Sequence, residues 1–345
     1  MNAESIWWGQ IGNSLRLLTK VTNNLRDCHS AVLHVPENLP WRQDFYEAVD
    51  VRRSAFSAER RLVRLQWEEN ADPGEFVLDE LCSGAVKAEY WPGQTYAEYL
   101  GSQSDILLND YFVWITGVHN KADAVNWVDF ITQYDRASRK LDNCAVFIVE
   151  YDGPQTELPG VEKIVYTVEN YDCKVFCLET AAARNNTDMH TYQAELALSL
   201  GNDDPQLCSA LIELGEKLLN DPVKATTATL DILGFEQRTE QAIVSAAWKA
   251  AIVLLFPILE QFRMSFVTNH KAVLARHLPI SNSNGDRVND PFDLEVGSLC
   301  YIVTSASKEF QPEEVEALKL CRKVRNLLAH NKVVPYEDVR KIMLM

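Results

Sequence analysis

The chain has 345 residues, with 33 Lys and Arg against 49 Asp and Glu, a net charge of −16. Its composition, 47% apolar and 24% charged, is that of an ordinary globular protein long enough for two cores. The acidic excess excludes indiscriminate nucleic-acid binding; eight cysteines in no zinc or disulfide spacing exclude a disulfide framework and point to a reducing, cytoplasmic setting.

The N-terminal MNAESIWW carries an acid and no basic segment, so no secretory signal is expected. SAVLHVP (30–36) then reads as a short buried strand, and the alternation in RLVRLQW (61–67) reads as a second. YFVWITGV (111–118), CAVFIVEYD (144–152), KIVYTV (163–168) and KVFCLE (174–179) read as further strands. Residues 122–140 place Ala124, Trp127, Val128, Ile131 and Tyr134 at helical spacing. Strands interleaved with helices predict an α/β domain with a mainly parallel sheet over residues 1–182. Cys173 and Cys177 flank the last of these strands and read as core thiols.

Strand signals fade after about residue 185, where Asp204-Pro205 and Asp221-Pro222 are cap-then-proline helix starts. Residues 183–239 are therefore expected to form a helical connector. A long helix starts at 240, with Pro257 expected to kink it. Its most apolar stretch, 246–259, carries Lys249 and Pro257 and is too short to span a bilayer, so no membrane is expected. A polar loop (280–289), a helix opened by Asp290-Pro291, a helix from Pro312 and a short closing helix complete an all-α helical bundle over 240–345.

The sheet resembles that of an NTPase but has no phosphate loop. ENLPWRQDF, after the first strand, has no glycine and no Gly-Lys-Ser/Thr, so nothing there closes backbone N–H groups around a phosphate. Glu150 and Asp152 end a strand where a magnesium-holding acid would stand, but no cradle accompanies them. A binding or regulatory module is the favoured reading of this domain. His119, His270 and His277 have no metal-ligand spacing around them and read as surface or core residues.

The charge is unevenly placed. Residues 240–345 hold 13 Lys and Arg against 12 Asp and Glu, so the first 239 hold 20 against 37. Residues 319–341 carry seven cations against Glu337 and Asp338, a local excess of five. Within this stretch lies RNLLAH, from Arg325 to His330. On a helix, Asn326 and His330 share a face, while Val324, Leu327 and Leu328 supply the packing side. Arg322 and Lys323 add charge one turn earlier, and Lys332 follows. An Arg and a His at a helix C-terminus also serve simply to complement the dipole and cap carbonyls.

With its long first helix, its D-P-F-D-L segment (Asp290 to Leu294) and its Arg and His separated by four residues, with Asn directly after the Arg, the stretch 240–345 resembles the HEPN superfamily. Residues 1–239 carry no comparable resemblance. Many HEPN proteins are metal-independent RNases acting as toxins or antiviral effectors, and others only scaffold. The resemblance implies a regulated, toxin-like or defence endoribonuclease with no cofactor and no metal. His330 would be the acid/base, Arg325 would stabilise the phosphate, and Asn326 would orient either; Arg322, Lys323 and Lys332 would hold RNA. It also implies a homodimer or larger assembly, with a protein partner or trigger acting at the acidic N-terminal domain. The alternative is a catalytically silent HEPN-like dimerisation or interaction protein serving a defence or regulatory complex.

Overall fold

A computed structural model describes residues 2–102, 107–138, 144–184, 189–281 and 285–345. The chain divides into two compact units, the first reaching Asp172 and the second running Cys173–Met345.

The first unit begins with helices α1 (Ala3–Gln10) and α2 (Gly12–Arg26), followed by β1 (Ala31–His34), α3 (Arg42–Ser54) and β2 (Arg61–Gln66). Three short helices follow, α4 (Pro73–Leu81), α5 (Gly84–Glu89) and α6 (Tyr96–Ser102); then come β3 (Tyr111–Val118), α7 (Lys121–Ser138), β4 (Val146–Tyr151) and β5 (Glu162–Val165). The five strands form one sheet in the order β2-β3-β4-β1-β5, with every neighbouring pair parallel. Parallel strands covered on both faces are expected to be apolar throughout. VFIVEY of β4 follows this rule, being buried at every position, and its single carboxylate, Glu150, is held by specific partners. The edge strand β2 has no fully buried position and carries the exposed Arg61 and Arg64, charges that discourage edge-to-edge pairing.

Aromatic side chains fill the core beside the sheet. Trp127, Phe130, Ile131 and Tyr134 of α7 pack in one cluster with Val113, Ile115, Phe147 and Val149. Trp67 and Trp127 meet edge-on, ring centroids 5.1 Å apart, a preferred geometry for aromatic quadrupoles. Trp8, Phe45 and Trp114 form a second aromatic group, linked through Phe45.

The segment 174–179, expected as a strand, is instead part of α8 (Asn170–Arg184). Cys173, Phe176, Cys177, Thr180 and Ala181 are all buried, and that i, i+3, i+4, i+7, i+8 spacing is a helical stripe. The apolar run KVFCLE is too short to reveal its period; the fifteen-residue helix does. The last two residues of the helix predicted over 122–140, and the centre of the loop predicted over 280–289, lie outside the described residues.

In the second unit α8 is followed by α9 (His190–Gly201), α10 (Pro205–Glu213), α11 (Glu216–Asn220), α12 (Pro222–Leu233) and α13 (Glu240–Ala275). Asp204 and Asp221 cap α10 and α12, each accepting a backbone N–H, with proline in the first turn as predicted. A two-stranded hairpin, β6 (Ile280–Ser281) and β7 (Arg287–Val288), precedes α14 (Val296–Ser305), α15 (Pro312–Ala329) and α16 (Tyr336–Met343). Helix α13 is the hub of this unit, packing against α9, α12, α15 and α16.

Two expectations about this region are corrected. The departure from helical geometry in α13 falls at His270 (φ −111°, ψ 16°), not at Pro257. Pro257 and Val253 are both exposed, so the carbonyl that loses its N–H partner lies on the solvent side. Asp290 to Leu294 is a single 3-10 turn, Pro291–Asp293, capped by Asp290 and pinned by Arg263 of α13, which donates to Phe292 O at 3.0 Å. The apolar stretch 246–259 lies within a 36-residue helix that contains an 18-residue window of mean hydropathy 2.1. By length and composition such a helix meets the criterion for crossing a bilayer, as core helices of helical bundles also do.

Candidate functional site around the C-terminal end of α15

RNLLAH closes α15. Leu318, Cys321, Val324 and Leu328 form its buried stripe, leaving Arg322, Lys323, Asn326 and His330 exposed and Arg325 half-buried. The helix ends at Ala329 with His330 as C-cap, and Asn331 adopts the left-handed conformation (φ 52°). The Asn331 N–H donates to Leu328 O at 3.3 Å and the Lys332 N–H to Leu327 O at 3.0 Å. These two bonds make a Schellman cap with Asn in the position glycine usually takes. Trp248 of α13 donates its indole N–H to Leu328 O at 2.7 Å. The final carbonyls of α15 are thus capped by backbone and indole, and the exposed imidazole of His330 makes no hydrogen bond among the described residues.

The other predicted site residues are placed differently. Asn326 and His330 lie four apart on one side of the helix. Five positions separate Arg325 from His330, which puts them roughly 140° apart around the axis. Arg325 donates to Glu295 Oε2 at 3.3 Å, an ion pair 35% and 64% exposed at its two ends. Glu295 is the N-cap residue of α14. It shares with Arg322, Ser281, Gly297, Ser298 and Tyr301 a groove of about 570 Å³ between β6, α14 and α15. Lys323 is already engaged with Asp338 of α16, Nζ to Oδ2 2.6 Å. Lys332 is exposed and has no ion pair among the described residues.

Beneath the cations lie two thiols. Burial pushes the Cys321 thiol up to about 12, with Cys300 adding to the effect. Cys300 is raised as well, mainly by burial, while Arg322 and Lys319 pull against it. Both are neutral packing groups at physiological pH. Cys173 and Cys177, predicted as core thiols, are fully buried.

Sequence reasoning missed Glu295, Tyr301, Trp248 and Asp338, because each meets α15 only through tertiary packing. Asn331 was legible in principle, since an Asn directly after the last periodic residue is a helix-stop signal. No acid stands near His270 or His277 at ligand spacing in the sequence, yet His270 Nε2 lies 3.0 Å from Glu314 Oε1 and His277 Nε2 3.6 Å from Glu309 Oε1. Each acid comes from a segment more than thirty residues away, beyond the reach of local spacing.

In the first unit Glu150 is unsuited to holding a cation. It is 2% exposed and accepts from Arg42, from the Tyr46 hydroxyl (2.8 Å) and from the Trp114 indole (3.1 Å). Asp152 is paired with His119, Oδ1 to Nδ1 2.6 Å. Among the described residues no group of three or more His, Cys, Asp or Glu side chains is arranged to hold a metal ion. No family model matches this sequence, and no curated protein matches it.

Proposed function

We infer that the chain is a HEPN-type endoribonuclease whose chemistry belongs to residues 240–345. The single observation that carries this reading is the imidazole of His330. It is exposed and makes no hydrogen bond among the described residues, on a helix end that other groups cap, four residues from Asn326 and in a stretch rich in Lys and Arg. An imidazole side chain can both take up and give up a proton, and a guanidinium fork matches phosphate oxygens. His330 would take the proton of an RNA 2′-OH, or return one to the leaving 5′-oxygen. Attack of the 2′-oxygen on the adjacent phosphorus breaks the P–O5′ bond, giving a 2′,3′-cyclic phosphate and a 5′-OH. Arg325 would stabilise the charge on the phosphoryl oxygens.

Because one copy of α15 turns Arg325 and His330 to different sides, the reading includes a homodimer in which one protomer's imidazole faces its partner's guanidinium. The acidic first unit would hold the trigger or partner surface, and a regulated defence role in the cytoplasm fits this arrangement. Single-turnover cleavage of a labelled RNA, compared between wild type and His330→Ala with end-group analysis, tests the proposal. Loss of cyclic-phosphate product in the variant supports it, and equal cleavage removes His330 from the mechanism.

One observation favours the second reading, a silent HEPN-like interaction module. Arg325 and Lys323 already have carboxylate partners, Glu295 and Asp338. A dimer without cleavage by either protein would select it.

A further inference from the structure

We propose that the first unit binds a small molecule through an oxyanion, a phosphate ester or a carboxylate, in the groove at the carboxyl ends of its parallel strands, with Arg64 as the anchoring cation. This inference is independent of the activity proposed for α15.

Topology supplies the first argument. All five strands are parallel, so their carboxyl ends lie together along one edge of the sheet. In open parallel sheets ligands bind outside the carboxyl ends of the strands. Here a groove of about 440 Å³ spreads over the carboxyl ends of β2, β3 and β4 and the start of α3, and is lined by Arg42, Tyr46, Arg64, Thr116, His119 and Asp152 among others. Its volume lies within the roughly 300–1,000 Å³ of small-ligand sites.

The groove wall is built rather than incidental. Glu150, fully buried, fixes both Arg42 and Tyr46. Arg42 opens α3 directly after Trp41, which is held in the left-handed region (φ 45°, ψ 53°), an uncommon conformation for so bulky a residue. Its carbonyl accepts from the Trp8 indole at 3.1 Å, so surrounding structure holds that conformation in place. On the opposite wall the register of β3 against β4 shifts between Ile115 and Val118. Gly117 has φ +84°, and a Cβ there would sit 2.1 Å from Gln66 Nε2. The irregularity brings the end of β3 beside the end of β4, where His119 meets Asp152; bulges commonly re-aim side chains next to functional sites.

Charge selects the ligand class. Arg42 is neutralised by Glu150, Asp152 is paired with His119, and the exposed Glu37 lines the groove on the Arg42 side, so the anchoring falls to Arg64. Arg64 is exposed, its guanidinium lies 4.7 Å from the centroid of the Tyr46 ring, and among the described residues it has no carboxylate partner. A planar fork pre-oriented on an aromatic face is a bidentate receptor for a carboxylate or phosphate. Asp152 engages His119 Nδ1, which leaves Nε2 for a second polar group of the ligand. The absence of glycines in ENLPWRQDF means that side chains, not a backbone cradle, do the gripping.

Calorimetric titration of the full chain with AMP, inorganic phosphate and succinate tests this in wild type, Arg64→Ala and Arg64→Lys. Arg64 is exposed, so both variants should keep the wild-type unfolding midpoint, which circular dichroism checks. At least one probe should bind with a Kd of about 1 mM or tighter. Arg64→Ala should weaken that binding about tenfold or more, and Arg64→Lys should restore only part of it. Preference for AMP and phosphate over succinate assigns a phosphate ester, and the reverse preference a carboxylate. Failure of all three probes to bind below about 10 mM, or binding unchanged in Arg64→Ala, overturns the proposal.

Discussion

Arg325 and Glu295, thirty residues apart in sequence, form an ion pair at 3.3 Å on the surface of the second unit. Both partners are substantially exposed, so the pair adds about 0–1 kcal/mol to stability. Its larger effect is on ligand access, since a phosphate approaching Arg325 must compete with the carboxylate. Glu295→Gln is therefore expected to leave the unfolding midpoint nearly unchanged and to tighten RNA binding about two- to fivefold at low salt. Fluorescence anisotropy with a short single-stranded RNA checks this, and unchanged or weaker binding would contradict it.

The cap of α15 makes a second prediction. Trp248→Phe keeps most of the packing but removes the donor to Leu328 O. The expected cost is about 1–2 kcal/mol, read as a lower urea midpoint. Hydrogen exchange should show the loss concentrated at the C-terminal turn of α15.

Asn331 offers a backbone test of the same end. Its φ of 52° suits Asn or Gly and disfavours a β-branched residue. Asn331→Gly should fall within about 0.5 kcal/mol of wild type, whereas Asn331→Val should cost about 1–2 kcal/mol. Equal midpoints for the two variants would show that this conformation carries no strain.

Glu150 anchors the first unit. Glu150→Ala leaves the Tyr46 hydroxyl and the Trp114 indole without their acceptor and takes from the Arg42 guanidinium its carboxylate, leaving it the Pro36 and Glu37 carbonyls. Because Arg42 is 30% exposed, the expected loss is about 2–3 kcal/mol, below the roughly 3–5 for breaking a fully buried pair. Glu150→Gln, which keeps an acceptor oxygen, should lose less. Thermal unfolding of both variants gives the ranking.

Cys321 predicts a pH dependence. Burial raises its pKa in the folded chain from 9.0 to about 12, so folding favours the neutral thiol. The unfolded chain loses that proton first. The associated stability is complete below pH about 9 and is lost as pH rises toward about 12. Denaturant titrations between pH 8 and about 10.5 should show a steeper decline for wild type than for Cys321→Ala. In the native state at pH 8 the exposed Cys28 should react with maleimide while Cys321 stays protected until unfolding.

Much of the architecture was legible because local patterns dictated it. β-branched and aromatic runs marked β1 to β5, Asp-Pro pairs marked the starts of α10 and α12, and helical spacing marked α7. KVFCLE misled because a run of six apolar and polar residues fits both periods; only burial along the whole of α8 separates them. Pro257 misled because the freed carbonyl is on the solvent side, where water replaces the lost partner.

The amino-acid sequence alone determined where the five strands of the sheet and helices α7, α10, α12, α13, α15 and α16 lie, that cations gather around His330, and that no glycine-rich phosphate loop follows β1; it did not place α1 to α6. These properties depend on residues within a few turns of one another. Tertiary structure decided what each charged group faces: Arg325 toward Glu295, Lys323 toward Asp338, Glu150 toward Arg42, and His119 toward Asp152. Such pairings join segments whose separation in the chain has no period to read, and they arise only when helices and strands pack. The exposed imidazole of His330 needed both, a motif to place it at a helix end and a fold in which other groups cap that end.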